Sequence, residues 1–335
     1  MKILVFLLFV SVANFSQDTA RLKFLAETGD MNAQFELGYQ YLFLDNPDYE
    51  LARIYFLQAA EQGHLVAQHN LGYSYIMENN SAINQERAFY WYNRAANNNY
   101  NRSMTTLGHL YREGIGTEKN VNKSIFWFNR AIEEGDSSAY LRLAQTYLEP
   151  QYNMVNPAKA LPNLLLAEKF GFEKATFDLG MFYFQQEGFI DENKALEYLS
   201  RVNSKKYPEV NYYLAQLYIE GIGGKKYPEK ALMLINEWAQ SGEPFSLYML
   251  GKYYLQGTGT QIDQKKAFLY FSESAKRGNL YAAAELGILY ALGEGTEKNL
   301  KKAAHWIDIA FDVDDPQLLK LVRSTWNDLQ LWKYQ

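Results

Sequence analysis

The chain has 335 residues, of which 48% are hydrophobic and 16% aromatic, so it can bury a large apolar core. Its formal net charge is −5, which disfavours nucleic acid or an anionic membrane surface as a partner. It contains no cysteine, and this excludes disulfides and thiol chemistry.

The first predicted element is an N-terminal targeting segment, residues 1–16. It begins MKILVFLLFVSVANF, with one lysine, a short apolar run and then the small residues Ser11 and Ala13. This order is typical of a secretory signal peptide, and the run is shorter than the roughly 20 residues that a membrane-spanning helix needs. The alternative is an apolar helix that packs on the first repeat. Residues 17–32 are predicted to form a partial helix that caps the repeats.

From residue 33 onward one pattern recurs every 34–36 residues, which indicates stacked supersecondary units. Each copy opens with a small residue or Val, continues with Leu and then Gly or Ala at positions i+4 and i+5, and has Tyr at i+8. Positions i, i+4 and i+8 share one face of an α-helix. Gly is costly inside a helix, so its recurrence predicts a closely approaching neighbour. The opening residues are Ala33, Ala67, Ser103, Ala139, Ala175, Val210, Ser246 and Ala282.

A second helix is predicted in each copy. Its N-cap column, which holds Asp or Asn in seven of eight copies, contains Asp48, Asn84, Asn120, Asn156, Asp191, Tyr227, Asp263 and Asn299. Five glycines are predicted to end second helices as C-caps: Gly63, Gly135, Gly171, Gly242 and Gly278. The fifth copy has no such glycine and ends in Asn203-Ser204-Lys205-Lys206, which predicts a bend or a mobile segment there.

The elements A-x-x-x-L-G-x-x-Y, G-x-G-T and D/N-x-x-K-A together resemble the Sel1-like repeat family, a relative of the tetratricopeptide repeats. Glu113–Ser124 and Gly293–Ala303 carry the loop pattern most closely. The resemblance implies an all-α fold, a right-handed α/α superhelix of about eight helix-turn-helix repeats over residues 33–314. Residues 315–335 are predicted to be a C-terminal capping helix, with Asp315 as its N-cap and Pro316 at its first position.

No pattern in the sequence predicts catalysis, a metal site or a cofactor. The four histidines, His64, His69, His109 and His305, lack the spacing of a zinc motif and are interpreted as surface or groove residues. The Gly-x-Gly segments neither follow a strand nor complete a phosphate-binding loop, so we interpret them as turns. Some cysteine-rich proteins of the resembling family are linked to β-lactam binding, but this chain lacks their cysteine pairs.

The candidate binding site is a concave groove lined by the first helices. Their positions i+2, i+6 and i+9 lie roughly opposite the repeat core, and they are unusually aromatic, as the core of an interface is. The alternative is that these side chains pack against adjacent helices. The predicted partner-binding residues are Phe35, Tyr39, Tyr73, His109, Phe177, Met181, Tyr212 and Tyr248.

These observations favour an exported, non-catalytic scaffold that binds a protein or peptide along the groove, in the periplasm or outside the cell. A glycan-associated module in cell-envelope or polysaccharide assembly is the alternative, since aromatic side chains can stack on sugar rings. A β-lactam hydrolase-like enzyme is the least favoured hypothesis. No cofactor, nucleic-acid partner or transmembrane span is expected.

Overall fold

The structure, a computed structural model, describes residues 20–43, 45–78, 81–312 and 314–334, and the signal peptide predicted for residues 1–16 lies outside them. Within the described residues there are 18 α-helices and no β-strand, only an isolated bridge between Ile222 and Lys225. This confirms the predicted all-α fold of helix-turn-helix repeats. Among the helices described, none is both long and apolar enough to cross a membrane.

The helices form eight consecutive pairs, each made of a first helix (the A helix) and a second helix (the B helix). Helix α1, residues 20–27, precedes the pairs, and α18 (Pro316–Asp328) follows them. The pairs are α2 (Met31–Leu42) with α3 (Tyr49–Glu61), α4 (Leu65–Glu78) with α5 (Ala82–Asn97), α6 (Asn101–Glu113) with α7 (Val121–Glu133), α8 (Ser138–Leu148) with α9 (Pro157–Lys169), α10 (Glu173–Gln185) with α11 (Glu192–Ser200), α12 (Val210–Glu220) with α13 (Pro228–Ala239), α14 (Pro244–Gln256) with α15 (Gln264–Lys276), and α16 (Leu280–Leu292) with α17 (Leu300–Ile309).

The chain divides into two compact units at Ala175–Thr176, in the first turn of α10. Each unit has a core of fully buried side chains contributed by both A and B helices. In the first unit these include Phe56, Leu71, Leu107, Phe128 and Leu164. In the second unit they include Leu199, Ile235, Phe271, Leu286 and Ile307.

The glycine column of the A helices marks a close approach of the B helix, as predicted. A Cβ atom built on Gly108 would lie 2.7 Å from two ring atoms of Phe128, and one built on Gly38 would lie 2.6 Å from the ring of Phe56. These distances are well inside van der Waals contact, so only glycine fits opposite the aromatic ring.

Most B helices begin at the predicted N-cap, whose side-chain oxygen accepts the N–H of the third residue of the helix. These bonds measure 2.9–3.0 Å at Asp48, Asn120, Asn156, Asp191, Asp263 and Asn299. The prediction that Asn84 is an N-cap was wrong. Helix α5 begins at Ala82 because Ser81 supplies a cap oxygen three residues earlier, and Asn84 lies inside the helix.

The repeated tyrosine ties the A helix to the start of the B helix in all copies but the second. Its carbonyl accepts the backbone N–H of the N-cap residue in seven copies, for example at 2.9 Å from Asp263 to Tyr254. In six copies the lysine three residues after the cap lies over the tyrosine ring, as Lys266 does over Tyr254 at 4.8 Å. A cation–π contact of this kind contributes roughly 0.5–1 kcal/mol at an exposed site, so it explains the recurring Tyr and Lys.

The last predicted helix is shorter than expected. Helix α18 begins after its N-cap Asp315, whose side chain accepts the N–H groups of Gln317 and Leu318, but it ends at Asp328. Gln330 then adopts a left-handed conformation (φ 49°), which α-helices do not continue, and a 3-10 turn, Leu331–Tyr334, follows with Leu331 fully buried.

Candidate functional site

All eight predicted partner-binding residues lie on A helices, at position i+2 or i+6 of their copies. They differ in exposure: some of these side chains are open to solvent and others are buried. Four of them belong to the first unit and four to the second.

In the first unit, Phe35 and Tyr39 on α2 are neighbours. The Phe35 ring stacks on His64 with centroids 4.4 Å apart and is half-buried. Tyr39 is 44% exposed and contacts the exposed ring of Phe43 at 4.5 Å. Tyr39 and Phe43 therefore form an aromatic pair that is open to solvent at the end of α2.

Tyr73 on α4 and His109 on α6, which come from different copies, line one pocket. The pocket measures about 180 Å³, and Tyr73 is 38% exposed at it. Three aliphatic side chains and two hydroxyl-bearing residues complete its wall: Ile76, Leu110, Ile115, Tyr92 and Thr106. A pocket of this composition offers apolar surface together with a few hydrogen-bonding groups.

A network of polar side chains holds His109 in position. Arg112 is 8% exposed, and its Nε donates to Oε1 of Glu113 at 2.7 Å. The Tyr152 hydroxyl donates to the same oxygen at 2.8 Å. Nη2 of Arg112 lies 3.3 Å from Nδ1 of His109. A guanidinium can only donate, so Nδ1 accepts, and the ring proton of a neutral His109 resides on Nε2.

Burial and two nearby cations keep His109 neutral at neutral pH by lowering its pKa. Burial and the cations of Arg112 and Arg142 lower its pKa, against the opposing charge of Glu113. For Glu113, burial favours the protonated acid, but the hydrogen bonds from Tyr152 and Arg112 hold its pKa below the usual value. The surroundings of His109 thus combine the carboxylate of Glu113 with the cations of Arg112 and Arg142.

A second histidine of the first unit, His69, is half-buried and packs among aromatic rings. Its ring lies edge-on to Tyr92 and Tyr100, with centroids 5.1 and 5.5 Å away, and its Nδ1 is 2.9 Å from the Ser103 hydroxyl. Burial, assisted by the Arg102 cation, lowers the pKa of His69 to about 4. His69 is therefore a neutral structural side chain.

In the second unit, two predicted site residues are buried. Phe177 is 7% exposed and stacks on Tyr207 at 5.7 Å, while Tyr248 is 9% exposed beneath Phe245 and Tyr281. For these two positions the packing alternative describes the structure. Their rings fill space between helices and present little surface to a partner.

Tyr212 and Met181, the other two residues of the second unit, are half-buried. The Tyr212 ring contacts Tyr213 at 5.3 Å, Phe245 at 5.6 Å and Trp238 at 6.4 Å. Tyr212 is therefore part of an aromatic cluster with one edge open to solvent.

Three rings of this surface, Tyr213, Phe245 and Tyr281, were not predicted from the sequence. They occupy positions i+3 and i−1 of their copies, whereas only i+2, i+6 and i+9 were considered. Residues three or four apart are neighbours on a helix, so i−1, i+3 and i+6 continue the same stripe. The partly exposed aromatic face of the A helices therefore includes positions i−1 and i+3 as well as i+2 and i+6.

Among the residues that the structure describes, no group of three or more His, Asp or Glu side chains is arranged to hold a metal ion. Two carboxylates of the second unit, those of Asp315 and Glu285, interact with neighbouring side chains of the same unit. Asp315 accepts a hydrogen bond from the Tyr281 hydroxyl at 3.3 Å. Burial raises the pKa of Glu285, and the Lys252 cation opposes this.

Comparison with known proteins assigns the repeats. The Sel1 repeat model matches residues 32–64, 65–100, 102–136, 173–201, 208–243, 244–279 and 280–312. The copy between residues 136 and 173 is not matched, although α8 and α9 form a helix pair there with Glu149-Pro150 and a 3-10 turn in place of Gly-x-Gly. A comparison with the curated proteins finds no significant match.

Two solved structures share this architecture over most of the chain. One is a protective antigen present in uropathogenic Escherichia coli strains, displaying an SLR fold, with 24% identity, a TM-score of 0.78, and coverage of 94% of this chain and 69% of the other. The second is a Sel1 repeat protein from Oxalobacter formigenes, with 26% identity, a TM-score of 0.72, and coverage of 91% and 90%. These likenesses support the repeat fold.

Proposed function

The chain belongs to the Sel1 repeat family, and from this premise we propose that it is a non-catalytic binding protein whose A helices hold a segment of a protein partner. The Sel1 repeat and the related TPR-like folds generally mediate protein–protein interaction. We further propose that the protein is exported, on the basis of the signal-peptide pattern of residues 1–16.

The pocket between Tyr73 and His109 is the observation that carries this proposal. Its volume of about 180 Å³ is below the range of roughly 300–1,000 Å³ that is typical of small-molecule sites. A single side chain of a polypeptide suits it better than a whole metabolite. The aliphatic wall would cover the stem of that side chain.

The polar groups of the pocket indicate how the bound segment is oriented. With Nδ1 of His109 occupied by Arg112, its Nε2–H is the donor that remains for a ligand. The exposed guanidinium of Arg142 is close enough to influence the pKa of His109, and both groups favour a hydrogen-bond acceptor. A partner carbonyl or carboxylate at the pocket rim fits this arrangement.

Site-specific photo-crosslinking tests this proposal, with a photoreactive phenylalanine at position 73. A matched control is the same substitution at Tyr90, which is 55% exposed on the B helix α5 of the same unit. We expect one defined partner from position 73 and none from position 90. The affinity of the purified partner should fall more than tenfold in Tyr73→Ala and stay unchanged in Tyr90→Ala, as expected for an interface anchor.

Equal capture from both positions, or capture from Tyr90 alone, would show that the A-helix face is not the binding surface. An unchanged affinity of Tyr73→Ala would refute the role of the pocket even if a partner were identified.

A further inference from the structure

A second pocket, in the second unit, lies where helix α11 ends early. It measures about 440 Å³ and is lined by the end of α11, the following loop and the facing sides of α12 and α13. It shares no lining residue with the A-helix residues Met181, Tyr212 and Tyr248. It is therefore independent of the proposed binding function.

The pocket exists because α11 lacks its last turn. Helix α11 has 9 residues, whereas α7, α9 and α15 have 13 each. After Ser200 the chain turns at Asn203, whose side chain accepts the N–H of Lys205 at 3.0 Å. Such a local side-chain bond competes with helix continuation, and it stands where α7, α9 and α15 continue for another turn.

The pocket is lined by a largely buried asparagine, Asn211, whose amide is open to the pocket. Asn211, the second residue of α12, is 4% exposed and lines the pocket, and no described residue forms a hydrogen bond with its side chain. Asn211 occupies position i+1 of its copy, directly after the opening residue. Gln34 and Gln68 occupy the same position of their copies, next to the end of the preceding helix.

Gln34 and Gln68 show what such an amide binds. Nε2 of Gln34 donates to the carbonyl of Ala26, and Nε2 of Gln68 donates to the carbonyl of Ala60, both at 3.0 Å and both eight residues back in the last turn of the preceding helix. The residue eight positions before Asn211 is Asn203, which lies beyond the end of α11. The helical carbonyl that serves Gln34 and Gln68 is thus missing at Asn211.

We propose that this pocket binds the C-terminal turn of a helix from a partner protein. The last four carbonyls of any α-helix lack an intrahelical partner, so one of them can accept a hydrogen bond from Nδ2 of Asn211. An aliphatic side chain of the same turn enters between Leu214 and Met233, and Met233 is 63% exposed in this structure.

The charge at the pocket rim agrees with a helix C-terminus as the occupant. Lys230 lines the pocket, and a cation is favourable beside the negative end of a helix dipole. Glu237, also in the lining, carries the opposite charge and can accept from a donor on the occupant. The chain itself fills the equivalent place with a helix end twice, next to Gln34 and Gln68.

The test is a peptide titration of the full chain labelled at its methionine methyl groups. The probe is a blocked peptide with the sequence of residues 52–63, the end of α3 that serves Gln68, held helical by a lactam bridge on its outer side. The eight methionines include Met233 in the pocket and Met181 on the A-helix face, so one spectrum distinguishes the two sites. We expect a saturable shift of Met233 and no shift of Met181.

Asn211→Leu should weaken binding of the probe at least threefold, because it removes the donor and keeps the side-chain volume. The matched control is Asn129→Leu, at an exposed position of the first unit, and it should leave the affinity unchanged. Met233→Glu, read by fluorescence anisotropy of the labelled peptide, provides a second variant at an exposed position that does not threaten folding.

Three outcomes would overturn the inference: no shift of Met233 at about 1 mM peptide, an unchanged affinity in both variants, or equal binding of a proline-substituted, non-helical version of the probe. The last result would assign the pocket to extended peptides or to apolar molecules in general. A shift of Met181 alone would support the A-helix face and refute this pocket.

Discussion

Replacing Gly108 by alanine tests how closely the paired helices approach each other. The Cβ of alanine would lie 2.7 Å from two ring atoms of Phe128, a side chain with no exposed surface. Carbon atoms pack best at about 3.5–4.0 Å, so either the ring or the helix must move. Because Phe128 is fully buried, its ring can move only by displacing neighbouring side chains.

The expected loss follows from two opposing terms. Overpacking a well-packed core costs about 1–3 kcal/mol, whereas alanine in place of glycine inside a helix gains about 1 kcal/mol. Gly108→Ala should therefore lower the free energy of unfolding by about 1 kcal/mol. In a Phe128→Leu background the clash is relieved, and the same substitution should raise it by about 1 kcal/mol.

The repeats show that an aliphatic side chain on the B helix can face either alanine or glycine, since Gly180 and Gly287 also lie opposite aliphatic residues, Leu199 and Ile307. Every copy with an aromatic residue at the B-helix position has glycine opposite, as Gly38 does for Phe56. Where the corresponding A-helix residue is alanine, at Ala144 and Ala215, the B-helix position holds Leu164 and Ile235.

Urea unfolding of the four proteins of this double-mutant cycle provides the measurement. Far-UV circular dichroism and the fluorescence of the six tryptophans, two of which lie in the same unit as Gly108, should give coincident transitions before free energies are compared. An equal effect of Gly108→Ala in both backgrounds would refute the reasoning, because the cost would then not come from contact with Phe128.

Two further predictions concern pH and helix capping. Because burial lowers the pKa of His69 to about 4, against about 6.5 in the unfolded chain, the unfolded state takes up the proton first as the pH falls. The stability contributed by neutral His69 is complete above pH 6.5 and is lost toward pH 4, by about 3 kcal/mol. In urea titrations at several pH values, His69→Asn should make the free energy of unfolding less dependent on pH. An unchanged pH dependence in this variant would contradict the prediction. Asp263→Ala should cost about 1 kcal/mol through loss of the bond to the Lys266 N–H, measured by thermal unfolding, whereas Asp263→Asn should cost little.

The fold was predictable because the repeat pattern encodes local contacts. The N-cap column, the glycine column and the period each report an interaction within one copy or between adjacent copies. The error at Asn84 arose because Ser81 is an equally good cap oxygen. The repeat period placed the N-cap at Asn84, but helix α5 is capped by Ser81, three residues earlier.

The candidate site was predictable only in part, since exposure depends on neighbours outside the aligned columns. Phe245 and Tyr281, each just before the opening residue of its copy, cover Tyr248 and bury it. The network at His109 requires Tyr152, which is 39 residues beyond Glu113 and lies in a 3-10 turn that has no counterpart in the consensus loops. Pair distances of this kind follow from packing and not from periodicity.

The hydrogen bond between the N-cap residue and the repeated tyrosine has a practical consequence for protein engineering. The same bond closes an excursion of seven residues from Tyr41 to Asp48, of eight from Tyr183 to Asp191 and of nine from Tyr254 to Asp263. The hydrogen bond thus joins the end of the A helix to the start of the B helix, and the connecting loop can differ in length from copy to copy without breaking it. The excursion from Tyr183 to Asp191 is the natural insertion point for an epitope tag or a fluorophore, because a Cβ added at Gly188 meets no atom within 4 Å. The excursion from Tyr254 to Asp263 is less suitable, because a Cβ at Gly259 would lie 2.2 Å from the carbonyl oxygen of Pro228.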